Sequence, residues 1–382
     1  MRRLAVLLLV LLPLAARAEA VIRIAIGERL PAVEIRGEGM RLRDLGGEGG
    51  YRPVGGNVLR LRATAGGILV EPMPGAPSIG QKTDGAPDAG PLVVGGDAPS
   101  VKIRAEGPLT VGDKTVRGSV EVDALEGALV AINEIPMEAY LAAVLGSEMP
   151  PSFPPEALKA QAVAARTYAI GKKIAAEGAP YHLGASVLSQ VYGGVNREDP
   201  RTLDAVRSTE GEVLVYEHAP IEAYFFASCG GRTESGLAAL SRDLPYLPAH
   251  ACPERPDTPG ARWSLQLDAA ELGRRLGEAA PTEVKIASRT ATGRAQAVSL
   301  ETPRGPRRID AVTFRRKLGY GELKSLSFEV ERRGGAFRFV GKGNGHAAGM
   351  CQWGAAAAAN DGWDYRRILA HYYPGTELRR MY

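Results

Sequence analysis

The stretch 132–169, INEIPMEAYLAAVLGSEMPPSFPPEALKAQAVAARTYA, restricts the fold more than any other part of this chain. Proline lacks a backbone N–H and crowds the turn before it, so Met149-Pro150-Pro151 has to end one helix. Pro154-Pro155-Glu156 can only begin the next, where a missing N–H costs nothing and an acid suits the helix start. Leu141, Val144 and Leu145 give the first helix an apolar face at helical spacing, behind an entry at Ile135-Pro136. The second runs through Leu158, Ala162, Ala165, Tyr168 and Ala169, and its alanines favour helix and permit close packing. Between the two sits one carboxylate, Glu148, at a helix C-terminus where the dipole disfavours an anion. Poor dipole placement and apolar neighbours both predict a raised pKa for it.

Upstream, 21–130 reads as short β-prone runs parted by Gly, Pro and Asp. These are VIRIAI (21–26), NVLRLRA (57–63), GILVEP (67–72), SVKIRA (100–105) and GSVEVDA (118–124). The alternation Val101-Lys102-Ile103-Arg104 fits a half-exposed strand. The Pro/Gly/Asp-rich segment 74–96 has little to bury and reads as a surface loop. Downstream, SQVYGGV (189–195) reads as a short strand or loop, and a strand pair is expected around 211–215 and 222–228. Further on, LQLDAAELGRRLG suggests a strand entering a helix, VKIASRT, AQAVSLET and LSFEVERR suggest strands, and an Ala-rich helix (354–359) and YRRILAHYY close the chain. The expected class is α+β: a β-rich N-terminal module, then a mixed α/β region with a groove.

Met1-Arg2-Arg3, an apolar run from Leu4 to Leu14 and Ala16-Arg17-Ala18 together describe a secretory signal peptide cut after Ala18. The run is too short for a permanent span, so the mature chain is expected outside the cytoplasm, periplasmic or at the cell wall, with no stable membrane anchor. Charged residues make up 24% and the net charge is +4, too small and too dispersed to point to nucleic acid. The expected divisions are 1–18 signal peptide, 19–125 β-rich part, 126–260 catalytic core, 261–340 mixed subdomain and 341–382 closing segment.

The candidate chemistry gathers in four places. Glu148, preceded by Ser147, is a candidate general acid. Lys159 and Arg166 lie two helical turns apart and so share a face. Gln190 and Tyr192 precede Gly193-Gly194. Asn344 and His346 stand in GKGNGHAAGMCQWGA, whose glycines at 341, 343 and 345 permit tight turns close to a ligand. No β-strand-to-helix unit with an acidic ribose partner surrounds those glycines, so they are no nucleotide signature. Three cysteines, Cys229, Cys252 and Cys351, with His250 two residues before Cys252, leave three readings open: a zinc site of all four, a Cys229–Cys252 disulfide, or free thiols.

The helix pair around E-M-P, the ALKAQAVAARTY helix and the run GNGHAAGMCQWGA…HYYPGT resemble the SpoIID/LytB domain, found in sporulation-linked peptidoglycan lytic transglycosylases and in amidase enhancers. The resemblance implies that Glu148 is the catalytic acid. It also implies that Ser147, Lys159, Arg166, Gln190, Tyr192, Asn344 and His346 line a groove for glycan strands, with Arg166 suited to the lactyl carboxylate of peptide-free muramic acid. Zinc, where such proteins carry it, would be structural. A cell-wall amidase is the implied partner if the protein is a non-catalytic enhancer. His346-Ala347-Ala348-Gly349 departs from the H-G-V-G common in the family.

Overall fold

The computed structural model describes residues 20–73, 91–184 and 190–382. The signal-peptide expectation and most of the expected 74–96 loop fall outside these residues. The end of that loop is instead a strand, Leu92–Val94, paired with Gly67–Met73.

Two antiparallel-rich sheets form the N-terminal part. In spatial order the first contains Leu183–Gly184, Val21–Leu30, Ala128–Pro136, Ser119–Leu125, Ser100–Arg104, Arg41–Asp44 and Arg52–Pro53. The second contains Lys114–Val116, Leu109–Val111, Ala32–Arg36, Val58–Thr64, Gly67–Met73 and Leu92–Val94. Alternating residues of both, among them Ile22, Ile24, Val101 and Ile103 from one and Ile35, Leu59, Leu61 and Ile68 from the other, meet in one apolar core. The strand Ala128–Pro136 is buried on both faces, which explains its nearly unbroken apolar run.

That strand feeds directly into α1 (Met137–Glu148). Pro136 ends the strand and caps the helix rather than occupying its first turn. After the proline break, α2 (Pro155–Ala175) starts with Pro at its first position and Glu156 in its first turn. Lys172 and Lys173 in its last turn complement the dipole. It packs against α1, α3 (Pro200–Ser208), and two late helices, α7 (Gln352–Asn360) and α8 (Tyr365–Tyr372). Between them in sequence come the short α4 (Gly236–Leu240), α5 (Ala269–Leu276) and α6 (Ala311–Leu318).

The expected pairing of 211–215 with 222–228 does not form. Glu212–Tyr216 pairs with Ala219–Pro220 and with the C-terminal strand Glu377–Arg380. Phe225–Phe226 instead runs parallel to Met350–Cys351. Partners more than a hundred residues away leave no trace in a local pattern.

Residues 262–342 build two three-stranded antiparallel sheets and the helices α5 and α6 around a separate core that includes Leu272, Phe314, Phe328, Phe337 and Phe339. The chain leaves and re-enters the main body at one point, where Gly343 N–H donates to Ala261 O at 2.6 Å. The whole is α+β.

Candidate active site

Two distant strips of sequence lie side by side to make the site. Phe225–Phe226 pairs with Met350–Cys351, and Ser228 and Asn344 exchange backbone hydrogen bonds of 3.0 and 2.7 Å. The glycines at 341, 343 and 345 serve this protein-to-protein packing. A Cβ on Gly341 would meet the Trp263 ring at 2.2 Å, and on Gly343 the Ser228 carbonyl at 2.8 Å. On Gly345, which borders the pocket described next, it would meet Phe226 at 2.6 Å.

The doubled strip walls a pocket of about 410 Å³. Glu148 reaches it from the end of α1, Tyr168 from α2, Leu240 from α4, and Val312, Arg315 and Tyr320 from the inserted 262–342 segment. Glu148 is half-buried, and its Oε1 accepts a hydrogen bond from the Val191 N–H at 2.8 Å. Burial raises its pKa, and the Val191 bond only partly offsets this. Among the described residues it is the only carboxylate lining the pocket.

Asn344 and His346 also line this pocket. His346 Nδ1 accepts from Ala348 N–H at 3.2 Å, and its Nε2 lies 3.1 Å from the Phe225 carbonyl. That pair of contacts selects the neutral Nε2–H tautomer, and burial pushes the pKa down to about 4. Both ring nitrogens are occupied, so His346 offers the pocket a ring surface, packed against Tyr224 and Phe226, rather than the donor and acceptor expected from sequence.

The other expected groove residues lie elsewhere. Arg166 is fully buried and grips Glu138 of α1 through two bonds of 2.8 and 2.6 Å. It also donates to the carbonyls of Glu212 and Val206, clipping α1, α2 and α3 together, so it does not present its guanidinium to a groove. Gln190 is buried, with Tyr140 donating to its Oε1 and its Nε2 donating to Ala165 O. Tyr192 is buried and donates to Asn133 at 2.7 Å. Both side chains tie the 190–192 segment to the strand and helices behind it rather than facing a groove. Ser147 turns back to the Ala143 carbonyl at 2.8 Å. Lys159 pairs with Glu156 at 2.7 Å and lines a different groove, of about 790 Å³, with Phe153 and Trp353.

Beyond the pocket, the same strips carry the cysteines. Cys229, Cys252 and Cys351 hold no disulfide, and their sulfurs and a carboxylate oxygen of Glu254 all lie within 4.8 Å of one another. His250 is not in the cluster. Its Nδ1 sits 3.0 Å from Ala251 O and its ring packs against His371, because the backbone between 250 and 252 turns the two side chains apart. Glu254 was not foreseen, since a C-x-E spacing carries no signal in sequence. It is buried, accepts from Cys229 N–H and Gly230 N–H at 2.7 and 2.8 Å, and has no cationic side chain paired with it among the described residues. Hydrogen bonds from the Cys229 and Cys351 thiols pull Cys252 down to about 3, while Cys229 and Cys351 are pushed up. Three sulfurs and a buried carboxylate without a counter-ion could hold a metal. Gly354 lets α7 approach this cluster, since a Cβ there would stand 2.4 Å from Cys252 Sγ and 2.1 Å from Tyr372 Oη.

The family model described as stage II sporulation protein, SpoIID, matches residues 125–216, the span that carries α1, α2 and Glu148. Stage II sporulation protein D of Bacillus subtilis is 33% identical over 296 residues, covering 71% of this chain and 82% of that protein. Its counterpart in Bacillus amyloliquefaciens is 32% identical over 263 residues, covering 65% and 75%. An amidase enhancer of Bacillus subtilis is 33% identical over 292 residues, covering 62% of this chain and 40% of its own length. The chain belongs to the SpoIID family.

Proposed function

We propose that this protein is an exported lytic transglycosylase that cuts peptidoglycan glycan strands at the bond between N-acetylmuramic acid and N-acetylglucosamine. One observation carries the reading: a half-buried carboxylate, Glu148, held by one backbone N–H in an aromatic-walled pocket, with no second carboxylate lining it among the described residues. Hydrolysis by either common scheme needs two acids, one of them to activate water or to attack the sugar. One acid suffices when the nucleophile belongs to the substrate. Protonated Glu148 donates to the bridging oxygen as the C1–O bond of muramic acid breaks. The sugar's own 6-hydroxyl then bonds to C1 and gives its proton to the Glu148 carboxylate. No water is consumed, Glu148 is restored, and the product is a 1,6-anhydro end.

Tyr168, Tyr224, Phe226 and Tyr320 supply the ring faces on which sugar rings stack, and Asn344 stands by to bond a hydroxyl. The thiol–carboxylate cluster is proposed to hold structural zinc on Cys229, Cys252, Cys351 and Glu254. A closed four-ligand set leaves no open position for catalysis. Bound there, zinc would brace the strips Phe225–Phe226 and Met350–Cys351, and so the pocket wall. Mass spectrometry of products from peptide-free strands tests the reading: anhydro ends support it, reducing ends indicate a hydrolase, and binding without products indicates the second reading. That second reading, a strand-binding partner that stimulates a cell-wall amidase, draws on the similarity to the amidase enhancer.

A further inference from the structure

Arg315 is the one arginine or lysine among the described residues lining the Glu148 pocket. It projects from α6 in the inserted segment and is 8% exposed. Its Nε donates to Leu323 O at 2.8 Å and its Nη2 to Lys324 O at 2.7 Å. The same Lys324 carbonyl accepts from Gly345 N–H at 2.9 Å, which ties the arginine to the pocket wall beside His346. The guanidinium lies over the Tyr320 ring, 4.8 Å from its centroid. Nη1 has no partner, and no carboxylate pairs with the group among the described residues.

A buried cation held by backbone carbonyls and a ring face but no carboxylate is costly, and burial pulls Arg315 down to about 10. An arginine that merely pinned the turn at 319–324 would need neither a pocket nor a free Nη1. The Arg315 charge works with burial to keep His346 neutral, and the side chain lines the same pocket as Glu148. The rim beside it is apolar and open, with Val312 and Tyr320 about two-fifths exposed (42% and 39%).

We propose that Arg315 is the specificity residue that reads a carboxylate on the glycan strand, so that the inserted segment selects muramic acid residues whose lactyl carboxylate is free of peptide. This rests on the transglycosylase reading of the pocket, and it moves to Arg315 the role that the family resemblance implied for Arg166. A guanidinium edge with a free Nη1, set over the Tyr320 ring at the pocket, suits a planar carboxylate.

The test is a cycle between protein and strand. Binding is read in the mature chain carrying Glu148→Gln, which stops turnover, with and without Arg315→Gln. The strands are peptide-free glycan with native lactyl carboxylates, or the same strands with those carboxyls converted to methyl amides. With Arg315 present, native strands should bind about 10- to 100-fold more tightly than amidated ones, the range for a charge-assisted contact. Arg315→Gln should erase that difference mainly by weakening the native strands, and Arg315→Lys should keep part of it. A merely structural arginine would instead weaken both strands alike. Equal binding of the two strands by the Arg315 protein, or discrimination retained by Arg315→Gln, overturns the assignment. The first of these comparisons needs no Arg315 variant, so it stands even if Arg315→Gln fails to fold. In a parallel assay with Glu148 intact, anhydro ends formed equally fast from both strands would remove Arg315's role and leave the transglycosylase reading intact. No cleavage and no binding of either would remove both.

Discussion

Replacing Glu148 by Gln separates its chemistry from its structural cost. The amide keeps the Oε1 that accepts from Val191 N–H, so the 2.8 Å bond at the end of α1 survives. What disappears is the proton and, above the acid's pKa, the charge. Positioned acid catalysis is worth about 10²- to 10⁴-fold, so strand cleavage should fall at least that far while strand binding persists. Stability should move the other way. Burial raises the folded pKa of Glu148 above its unfolded value. The native state then holds the proton more tightly, so this group's contribution falls as pH rises from the unfolded pKa through the folded one, and stays low above it. Each unit of upward shift costs about 1.4 kcal/mol at neutral pH, and Gln escapes that cost. The variant should therefore match or exceed the parent in Tm at pH 7, and the gap should close at pH values below the usual carboxylate range. Calorimetry across pH, paired with product analysis on peptide-free strands, reads both arms. Undiminished turnover by folded Glu148→Gln would refute the acid role. A clear loss of stability at pH 7 would show that the carboxylate is held by a stabilising partner, and the raised pKa would be wrong.

Arg166→Met should cost about 3 kcal/mol or more, because it strands Glu138 beside α1 and leaves the Val206 and Glu212 carbonyls without their donor. Denaturant unfolding checks this, and an unchanged midpoint accompanied by weaker strand binding would return Arg166 to the groove. As-purified protein should carry near-stoichiometric zinc by elemental analysis. Glu254→Ala should lose it and melt earlier, whereas His250→Ala should keep it. The opposite pattern would restore His250 as the ligand. Gly354→Ala should destabilise by about 1–3 kcal/mol through collision with Tyr372 and Cys252 and should lower metal content, so a neutral outcome would contradict the close approach of α7 to the cluster.

What the sequence revealed and what it hid divide along a physical line. The proline break, the alanine-rich α2 and the alternating strands are set by neighbours within a few residues, so their types were legible and their ends nearly so. Glu148 was legible for the same reason, since a helix end, apolar neighbours and a proline stop are all local. Arg166 misled because seven-residue spacing fixes a shared helix face but not what that face meets. In the fold, Glu138 and the carbonyls of two other segments meet it. His250 misled in the same way, for proximity to Cys252 in sequence says nothing of where the ring points. Glu254 and Arg315 were hidden because their significance is that of an uncompensated charge. A carboxylate without a cation and a cation without a carboxylate look, in a sequence, like any other Glu and Arg. Only the assembled fold shows which charges have been buried without an opposite charge, Glu254 in the cysteine cluster and Arg315 in the Glu148 pocket among them.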